Sequence, residues 1–171
     1  MSPSLKNNRH REVARAKYLD PEEIAEKVDA MRREGKSIVT INGSFDLLHA
    51  GHLEILYQAS LQGDILIVAL NTDHSIQGYK GLHRPIIPLE YRRELIAALK
   101  MVDYVTWFHA LDPRELLARI RPDVHVNGAE YGENCIEADV VRAHGGRLHL
   151  VERIDGLTTS KIIRTCASLV N

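Results

Sequence analysis

The sequence contains little cysteine, almost no net charge and no long apolar run. Its 171 residues include two cysteines, Cys135 and Cys166, whose spacing fits neither a metal site nor a redox motif, so two free thiols in a reducing cytoplasm are expected. A net charge of −1 excludes the overall basic character of a nucleic-acid-binding protein. No apolar run approaches a membrane span, and the N-terminus lacks the apolar region of a signal peptide. We therefore expect a cytoplasmic protein with neither nucleic-acid nor membrane partners.

The length and hydrophobic content of the chain are those of one globular domain. With 44% hydrophobic residues, the chain can bury a sizeable core. Residues 1–17 are polar and basic, and we interpret them as a solvated run of charges. Asp20 and Pro21 then predict a helix start, with an N-cap aspartate followed by proline. We divide the chain into a basic N-terminal extension, residues 1–20, and a folded domain, residues 21–171.

Residues 37–61 combine the signals of a strand, a turn and a helix. A β-branched apolar run at residues 38–41 leads through a turn to His49 and His52, after which apolar residues recur at helical spacing. The first N–H groups of a helix lack internal partners and carry partial positive charge, and Gly51 lets a ligand approach the backbone. This arrangement predicts a polyphosphate site. Two ordinary, partly exposed histidines are the alternative, and zinc is less well supported because helical zinc ligands favour i, i+4 spacing.

A pattern of apolar strand, turn and amphipathic helix repeats along the chain. Residues 65–70 form the continuous apolar run that is typical of a buried parallel strand, and shorter strands are predicted further along. We expect an α/β fold, with a Rossmann-like parallel sheet of about five strands and helices on both faces. Ligands of such sheets bind beyond the carboxyl ends of the strands. Asn71 and the pair Asn127-Gly128 follow predicted strands and are therefore candidate site residues.

Three further segments contain candidate phosphate-binding residues. Residues 77–85 are glycine-rich and basic, and we interpret them as a mobile loop in which Lys80 is functional rather than a spare surface cation. Arg92 and Arg93 lie in the first turns of a predicted helix, where the helix dipole disfavours cations; either one of them serves an anion or both are solvated. Residues 158–160 carry three hydroxyl groups before the last helix, as N-caps or as a second anion site.

Sequence blocks in a fixed order carry a resemblance to a known family. HAGH at residues 49–52 fits the HxGH signature, and the chain is similar to the nucleotidyltransferase (cytidylyltransferase-like) superfamily. Within that superfamily, the chain most resembles the heptose-phosphate adenylyltransferase branch. The blocks that carry this resemblance are, in order, GSFDLLHAGH, LNTD, KGLHRPIIPLEYR, MVDYV, RPDVHVNGAEY and GLTTSKII. RIDGLTTSK at residues 153–161 also resembles the RTEGISTTK signature of glycerol-3-phosphate cytidylyltransferases. In one departure, residues 127–131 read NGAEY where the family often has KGGDY, so a lysine is missing.

The resemblance implies an activity and a set of site residues. The activity is transfer of AMP from ATP to D-glycero-β-D-manno-heptose 1-phosphate, with Mg²⁺ carried by the nucleotide, no metal site on the protein, and a homo-oligomeric assembly. CTP and a small polyol phosphate are the alternative substrates. Catalytic roles are implied for His49, His52, Lys80 and Arg92. Nucleotide contacts are implied for Gly43, Ser44, Phe45, His49, Gly51, His52, Asn127, Gly128, Thr158, Thr159 and Ser160. Contacts to the sugar phosphate are implied for Asp46, Asn71, Lys80 and Arg84.

Two other classes of protein also use such a turn. A nucleotide-binding regulator without turnover would not require the pair of histidines together with Lys80, because binding alone does not need them. A fragment of a class I tRNA synthetase has a similar turn, but this chain is short and lacks a KMSKS-like loop. The pattern therefore favours an enzyme of nucleotidyl transfer over both.

Overall fold

A computed structural model describes residues 3–152 and 157–170. Alternating helices and strands follow one another along the chain, and their bounds are α1 Pro3–Arg15, α2 Ile24–Arg33, β1 Ile38–Gly43, α3 Ala50–Ser60, β2 Ile65–Asn71, α4 Asp73–Lys80, α5 Leu89–Ala97, β3 Tyr104–Phe108, α6 Arg114–Ile120, β4 Val124–Gly128, α7 Ala138–Ala143, β5 Arg147–Val151 and α8 Thr159–Val170. A 3₁₀ turn, Ala129–Tyr131, follows β4. None of the helices in these two ranges is long and apolar enough to cross a membrane.

The five strands form one parallel sheet in the order β3-β2-β1-β4-β5. Because side chains alternate along a strand, β1 sends Val39 and Ile41 to one face and Ile38 to the other. Helices α1, α3 and α5 cover the first face, and α2 and α6 cover the second. The predicted Rossmann-like sheet with helices on both faces is therefore confirmed. The chain leaves β1 towards β2 on one side and later returns to β4 on the other, which opens a crevice beside β1 at the carboxyl ends of the strands.

The N-terminal segment differs from the solvated run that the sequence analysis expected. Residues 3–15 form helix α1, whose Ala14 is only 4% exposed and belongs to the core beside α5. The Lys17 ammonium donates hydrogen bonds to the carbonyls of Leu99 and Val102, at 3.1 and 2.6 Å. Tyr18 extends the sheet by one bridge to Val105 of β3. The division of the chain at residue 20 stays a prediction.

Two local predictions on helix limits need correction. Helix α2 begins at Ile24, later than expected, because residues 21–23 form a turn in which the Asp20 carboxylate accepts the N–H of Glu22 at 2.9 Å. The expected mobile loop at residues 77–85 is wrong in its first half, since helix α4 continues through Lys80. Gly81 ends that helix with a φ of +87°, a conformation that glycine adopts without the steric cost of a Cβ atom.

A polar pair lies inside the sheet. His125 of β4 is fully buried, and its Nδ1 lies 2.8 Å from the Thr40 hydroxyl of β1. Burial disfavours the imidazolium form and lowers the pKa of His125 to about 4. The folded protein therefore holds this histidine neutral, whereas the unfolded chain protonates it near its ordinary pKa of about 6.5.

We predict that His125 makes the fold sensitive to mild acid. Between pH 6.5 and 4, His125 is protonated in the unfolded state but neutral in the folded state. The free energy of unfolding therefore falls as the pH falls, by about 3 kcal/mol once the pH is below both pKa values. Urea denaturation at a series of pH values measures this slope. A His125→Gln variant, whatever its absolute stability, is expected to lose that part of the slope. Parallel pH profiles for the two proteins would contradict the prediction.

Candidate active site

A cavity of about 250 Å³ occupies the crevice at the carboxyl ends of the strands. The ends of β1, β4 and β5 form its floor, and the N-terminal turns of α3 and α8 form its walls. The predicted site residues that line it are Gly43, Ser44, Phe45, His49, Gly51, His52, Lys80, Arg84, Asn127, Gly128, Thr158, Thr159 and Ser160. The structure therefore brings together most of the residues that the sequence analysis selected.

His49 and His52 stand side by side at the start of α3. Their rings stack with centroids 3.8 Å apart and an interplanar angle of 18°. The ring of Phe45 lies 5.1 Å from that of His52 and supports the stack, in a turn where Phe45 adopts an uncommon φ of +43°. A Cβ atom at Gly51 would stand 3.1 Å from the His49 ring. A side chain at position 51 would therefore crowd the His49 ring, and Gly51 leaves room for it.

Lys80 reaches the cavity from the last turn of α4. Its ammonium donates a hydrogen bond to the Ser44 hydroxyl at 3.0 Å, on the turn that follows β1. Although much of the Lys80 side chain is exposed, partial desolvation and then the neighbouring Arg84 charge lower the pKa of its ammonium. An anion bound near Lys80 would offset both effects, so the electrostatics of the cavity favour a negatively charged ligand.

Asp46 lies behind the cavity wall rather than on it. Its carboxylate accepts the N–H groups of Ile86 and Ile87 at 2.8 and 2.9 Å and pairs with the Arg84 guanidinium at 2.6 Å. Burial works to raise the pKa of Asp46, but these two N–H groups and Arg84 outweigh it and hold the pKa below its usual value. Asp46 therefore holds the segment between α4 and α5 against the turn that follows β1. Asp46 thus positions Arg84 and does not line the cavity.

Arg92 is fully buried and also lies outside the cavity lining. Its guanidinium donates to the carbonyls of Ser44, Asn71 and Ile87 at 2.8 to 2.9 Å, and to the carboxylate of Asp73 at 2.6 Å. The sequence analysis expected Arg92 to hold phosphate, but its donors already bind protein oxygens. Arg92 instead ties the turn after β1 to the end of β2.

Asn71 is the third predicted residue that does not reach the cavity. It is 6% exposed at the end of β2, and its amide donates to the Ser75 hydroxyl at 3.0 Å. Strand β2 ends on the side of β1 away from β4, whereas the cavity opens beside β1, β4 and β5. A substrate contact for Asn71 therefore stays a prediction that the position of the cavity does not favour.

The hydroxyl groups at the start of α8 serve in part as a helix cap. The Thr158 hydroxyl accepts the N–H of Lys161 at 3.1 Å, which satisfies one free donor of the first turn. Thr159 and Ser160 line the cavity beside it. Residues 153–156, which belong to the RIDGLTTSK block, lie outside the described residues. Thr158 thus both caps the helix and lines the cavity, so the structure is compatible with both interpretations of these hydroxyl groups.

Several lining residues escaped the sequence analysis. Glu130 and Tyr131, in the turn after β4, and Glu152, just beyond β5, all line the cavity. Applied to the last strand, the strand-end rule would have found Glu152. Behind the floor, the buried Glu137 carboxylate accepts the amide groups of Asn42 and Asn127 at 3.3 and 3.4 Å. Nothing in the spacing of the sequence indicates this last contact, because 95 residues separate Asn42 from Glu137.

A parallel sheet with stacked histidines, a lysine and two helix N-termini at its crevice defines a nucleotide-binding α/β protein. A family model described as cytidylyltransferase-like matches residues 40–165. The chain belongs to the cytidylyltransferase-like family, and it is a nucleotidyltransferase.

Similar proteins support this assignment. The chain is 41% identical over 143 residues to the bifunctional protein HldE of Syntrophotalea carbinolica, covering 83% of this chain and 29% of that protein. It is 41% identical over 144 residues to the bifunctional protein HldE of Gluconobacter oxydans, covering 84% and 30%. The chain thus spans about three tenths of the length of these relatives. A crystal structure of a lipopolysaccharide core biosynthesis protein from Thermoplasma volcanium is similar with a TM-score of 0.57 and 29% identity, over 70% of this chain and 98% of that one.

Removing the Arg92 guanidinium is expected to destabilise the fold strongly. In Arg92→Gln the buried carbonyls of Ser44 and Asn71 lose their donors, so the free energy of unfolding should fall by about 3–5 kcal/mol. Urea denaturation followed by circular dichroism measures it. Arg33→Gln, at an exposed position of α2, is the matched control and should change stability by no more than about 0.5 kcal/mol. Equal midpoints for Arg92→Gln and the wild type would show that the four contacts are dispensable.

Proposed function

We propose that this chain transfers AMP from ATP to D-glycero-β-D-manno-heptose 1-phosphate, releasing ADP-heptose and pyrophosphate. The observation that carries the proposal is the stacked pair His49 and His52, which stands in one cavity with Lys80 and the hydroxyl groups of α8. The choice of sugar rests on the KGLHRP and RPDVHVNGAEY blocks. It agrees with the similarity to a lipopolysaccharide core biosynthesis protein.

In the proposed reaction an oxygen of the sugar phosphate attacks the α-phosphorus of ATP. A new P–O bond forms, the bond from the α-phosphorus to the oxygen bridging to the β-phosphorus breaks, and pyrophosphate leaves with the electron pair. The nucleophile is already an anion, so no general base is required. Catalysis then consists of positioning and of neutralising charge on the phosphoryl oxygens. A cavity of imidazole, ammonium and N–H groups suits that chemistry.

Each group in the cavity has a proposed task that follows from its place. His49 and His52, at the positive end of α3, stabilise charge on the α-phosphate. Lys80 lies between the two reacting phosphates and reduces their repulsion. Thr159 and Ser160 contact the outer phosphates at the start of α8. The base and ribose contact the strand end of β4, at Asn127 and Gly128.

Two residues take revised tasks in this proposal. Arg92 and Asp46 are positioning residues, because both are buried and bind protein groups instead of facing the cavity. Arg92 holds the turn that carries Ser44, and Asp46 holds Arg84 at the cavity edge. A substrate contact is therefore retained for Lys80 and Arg84 and withdrawn for Asp46 and Asn71.

Magnesium is expected to enter as part of the Mg·ATP substrate. Within residues 3–152 and 157–170, no group of three or more His, Cys, Asp or Glu side chains is placed to hold a metal ion. Magnesium commonly keeps its waters and binds through substrate phosphates with few protein ligands. Among the described residues, the carboxylates that line the cavity are Glu130 and Glu152, and they would be available to such an ion. The bound ion would offset negative charge on the triphosphate.

A nucleotide and acceptor panel tests the proposed function. Pyrophosphate release is measured with ATP or CTP, each paired with the heptose 1-phosphate or with glycerol 3-phosphate. The ATP and heptose 1-phosphate pair is expected to give the highest kcat/KM. Preference for CTP with glycerol 3-phosphate would favour the cytidylyltransferase alternative, to which the RIDGLTTSK block also points. Absence of release with every pair would contradict both.

Lys80→Ala is expected to abolish most transfer while leaving the fold intact. Lys80 is exposed and its ammonium has Ser44 as a neighbour, so its loss should cost little stability. The two reacting phosphates would then repel each other without a cation between them, and kcat/KM should fall by about a hundredfold or more. Lys80→Arg should recover part of the activity, since the guanidinium differs in shape and hydration.

The matched control for this prediction is Lys100→Ala, at an exposed position outside the cavity. It should show wild-type pyrophosphate release, and thermal melts of all variants verify folding. If a well-folded Lys80→Ala protein kept its kcat/KM, Lys80 would be a surface cation with no part in transfer.

A further inference from the structure

The first turns of α5 carry two arginines, Arg92 and Arg93, and among the described residues only Arg92 forms an ion pair. Arg92 pairs with the Asp73 carboxylate at 2.6 Å. Arg93 is held instead between two aromatic rings, with its guanidinium carbon 4.9 Å from the Tyr18 ring centre and 4.5 Å from that of Trp107. Among the described residues no hydrogen bond or ion pair engages its guanidinium, and its Nε is buried. A cation near the positive end of a helix is therefore left without a counter-charge.

A second cavity lies beside Arg93, between α1 and α5. It has a volume of about 130 Å³, and its lining includes Arg11, Arg15, Tyr18 and Arg93. Arg15 likewise makes no side-chain hydrogen bond or ion pair with any described residue. Neither Trp107 nor any of these four residues lines the active-site cavity. Three arginines from two helices thus converge on a pocket that the proposed reaction does not use.

The carboxylates on this cavity are already engaged. The Glu94 carboxylate oxygen lies 2.8 Å from the His10 Nε2 and 3.6 Å from the Arg11 Nε. Glu90 is hydrogen-bonded to the Tyr91 hydroxyl, and that contact raises the pKa of Tyr91. Neither glutamate reaches Arg15 or Arg93 within salt-bridge distance. The charges left unmatched in the cavity are therefore positive.

We propose that this cavity is a second anion site, which binds a tetrahedral oxyanion of the phosphate class through Arg93, Arg15 and Arg11. The guanidinium group presents several N–H donors in a planar fork that matches phosphate oxygens. Contact with the two rings already restricts the Arg93 side chain, so less side-chain freedom is lost on binding. The ligand is inorganic phosphate or the phosphoryl group of a larger molecule, and the two share this recognition chemistry.

The only tryptophan of the chain makes the site directly observable. Trp107 contacts Arg93, so its fluorescence is recorded while the full-length protein is titrated with inorganic phosphate, AMP and chloride at constant ionic strength. Inorganic phosphate is expected to change the signal saturably, and chloride is not. Binding of AMP at least as tightly would identify a phosphoryl group on a larger molecule as the better ligand; weaker binding would favour the free ion.

Variants locate the binding event. Arg93→Gln and Arg15→Gln should each weaken phosphate binding by about tenfold, the effect of one charge-assisted hydrogen bond. Arg33→Gln, which removes one exposed charge from α2, should bind as the wild type does. Arg15 is exposed, so its variant remains informative even if Arg93→Gln fails to fold.

A Lys80→Ala background separates this cavity from the active site. The Trp107 response should persist there with an unchanged dissociation constant. Loss of the response in Lys80→Ala, wild-type affinity in Arg15→Gln, or the absence of any saturable response to phosphate or AMP would each overturn the proposal. None of these outcomes depends on nucleotidyl transfer, so they leave the proposed function untouched.

Discussion

The buried guanidinium of Arg92 is the interaction on which the active-site geometry most depends. Four protein oxygens from the β1 turn, the end of β2, the start of α4 and the segment before α5 all accept its hydrogen bonds. These segments are distant in sequence, and backbone carbonyls that lose their donors in the interior are costly. One planar cation therefore aligns the turn that carries Ser44 with the helix that carries Lys80, and these two residues meet at 3.0 Å.

The electrostatics of the cavity follow from that framework. Asp46 neutralises Arg84 behind the wall, while Lys80 remains at the surface with a lowered pKa. The stacked histidines stand at the positive end of α3, so groups that favour an anion are assembled before one arrives. Such preorganisation is the main contribution a protein can make when the nucleophile is already charged. Arg93 of α5 is likewise a cation held in place, by two aromatic rings, without an ion pair among the described residues.

Most of the fold could be predicted from periodicity, and the failures have local causes. The glycine-rich sequence around Gly78 indicated a loop, but the Thr72 hydroxyl caps α4, the Ser75 hydroxyl donates to the Ala110 carbonyl, and Ile76 is buried. These tertiary contacts offset the low helix propensity of one glycine. Residues 1–17 were interpreted as solvated because charge dominates their composition. Ala14 nevertheless packs in the core, and His10 and Arg11 contact Glu94 of α5.

Local spacing was enough to predict the alternation of strands and helices, the turn that carries His49 and His52, and the hydroxyl cluster at residues 158–160. These features depend on local spacing, which a single chain displays in full. Only the tertiary structure decided which candidate side chains face the cavity. Strand order places the end of β2 away from it, so Asn71 turns to Ser75. Arg92 and Arg93 are neighbours in sequence with equal charge. Yet Arg92 donates to one carboxylate and three backbone carbonyls, whereas Arg93 packs against two aromatic rings. That difference arises because successive residues of a helix point in different directions, and what each meets is set by elements far away in the chain.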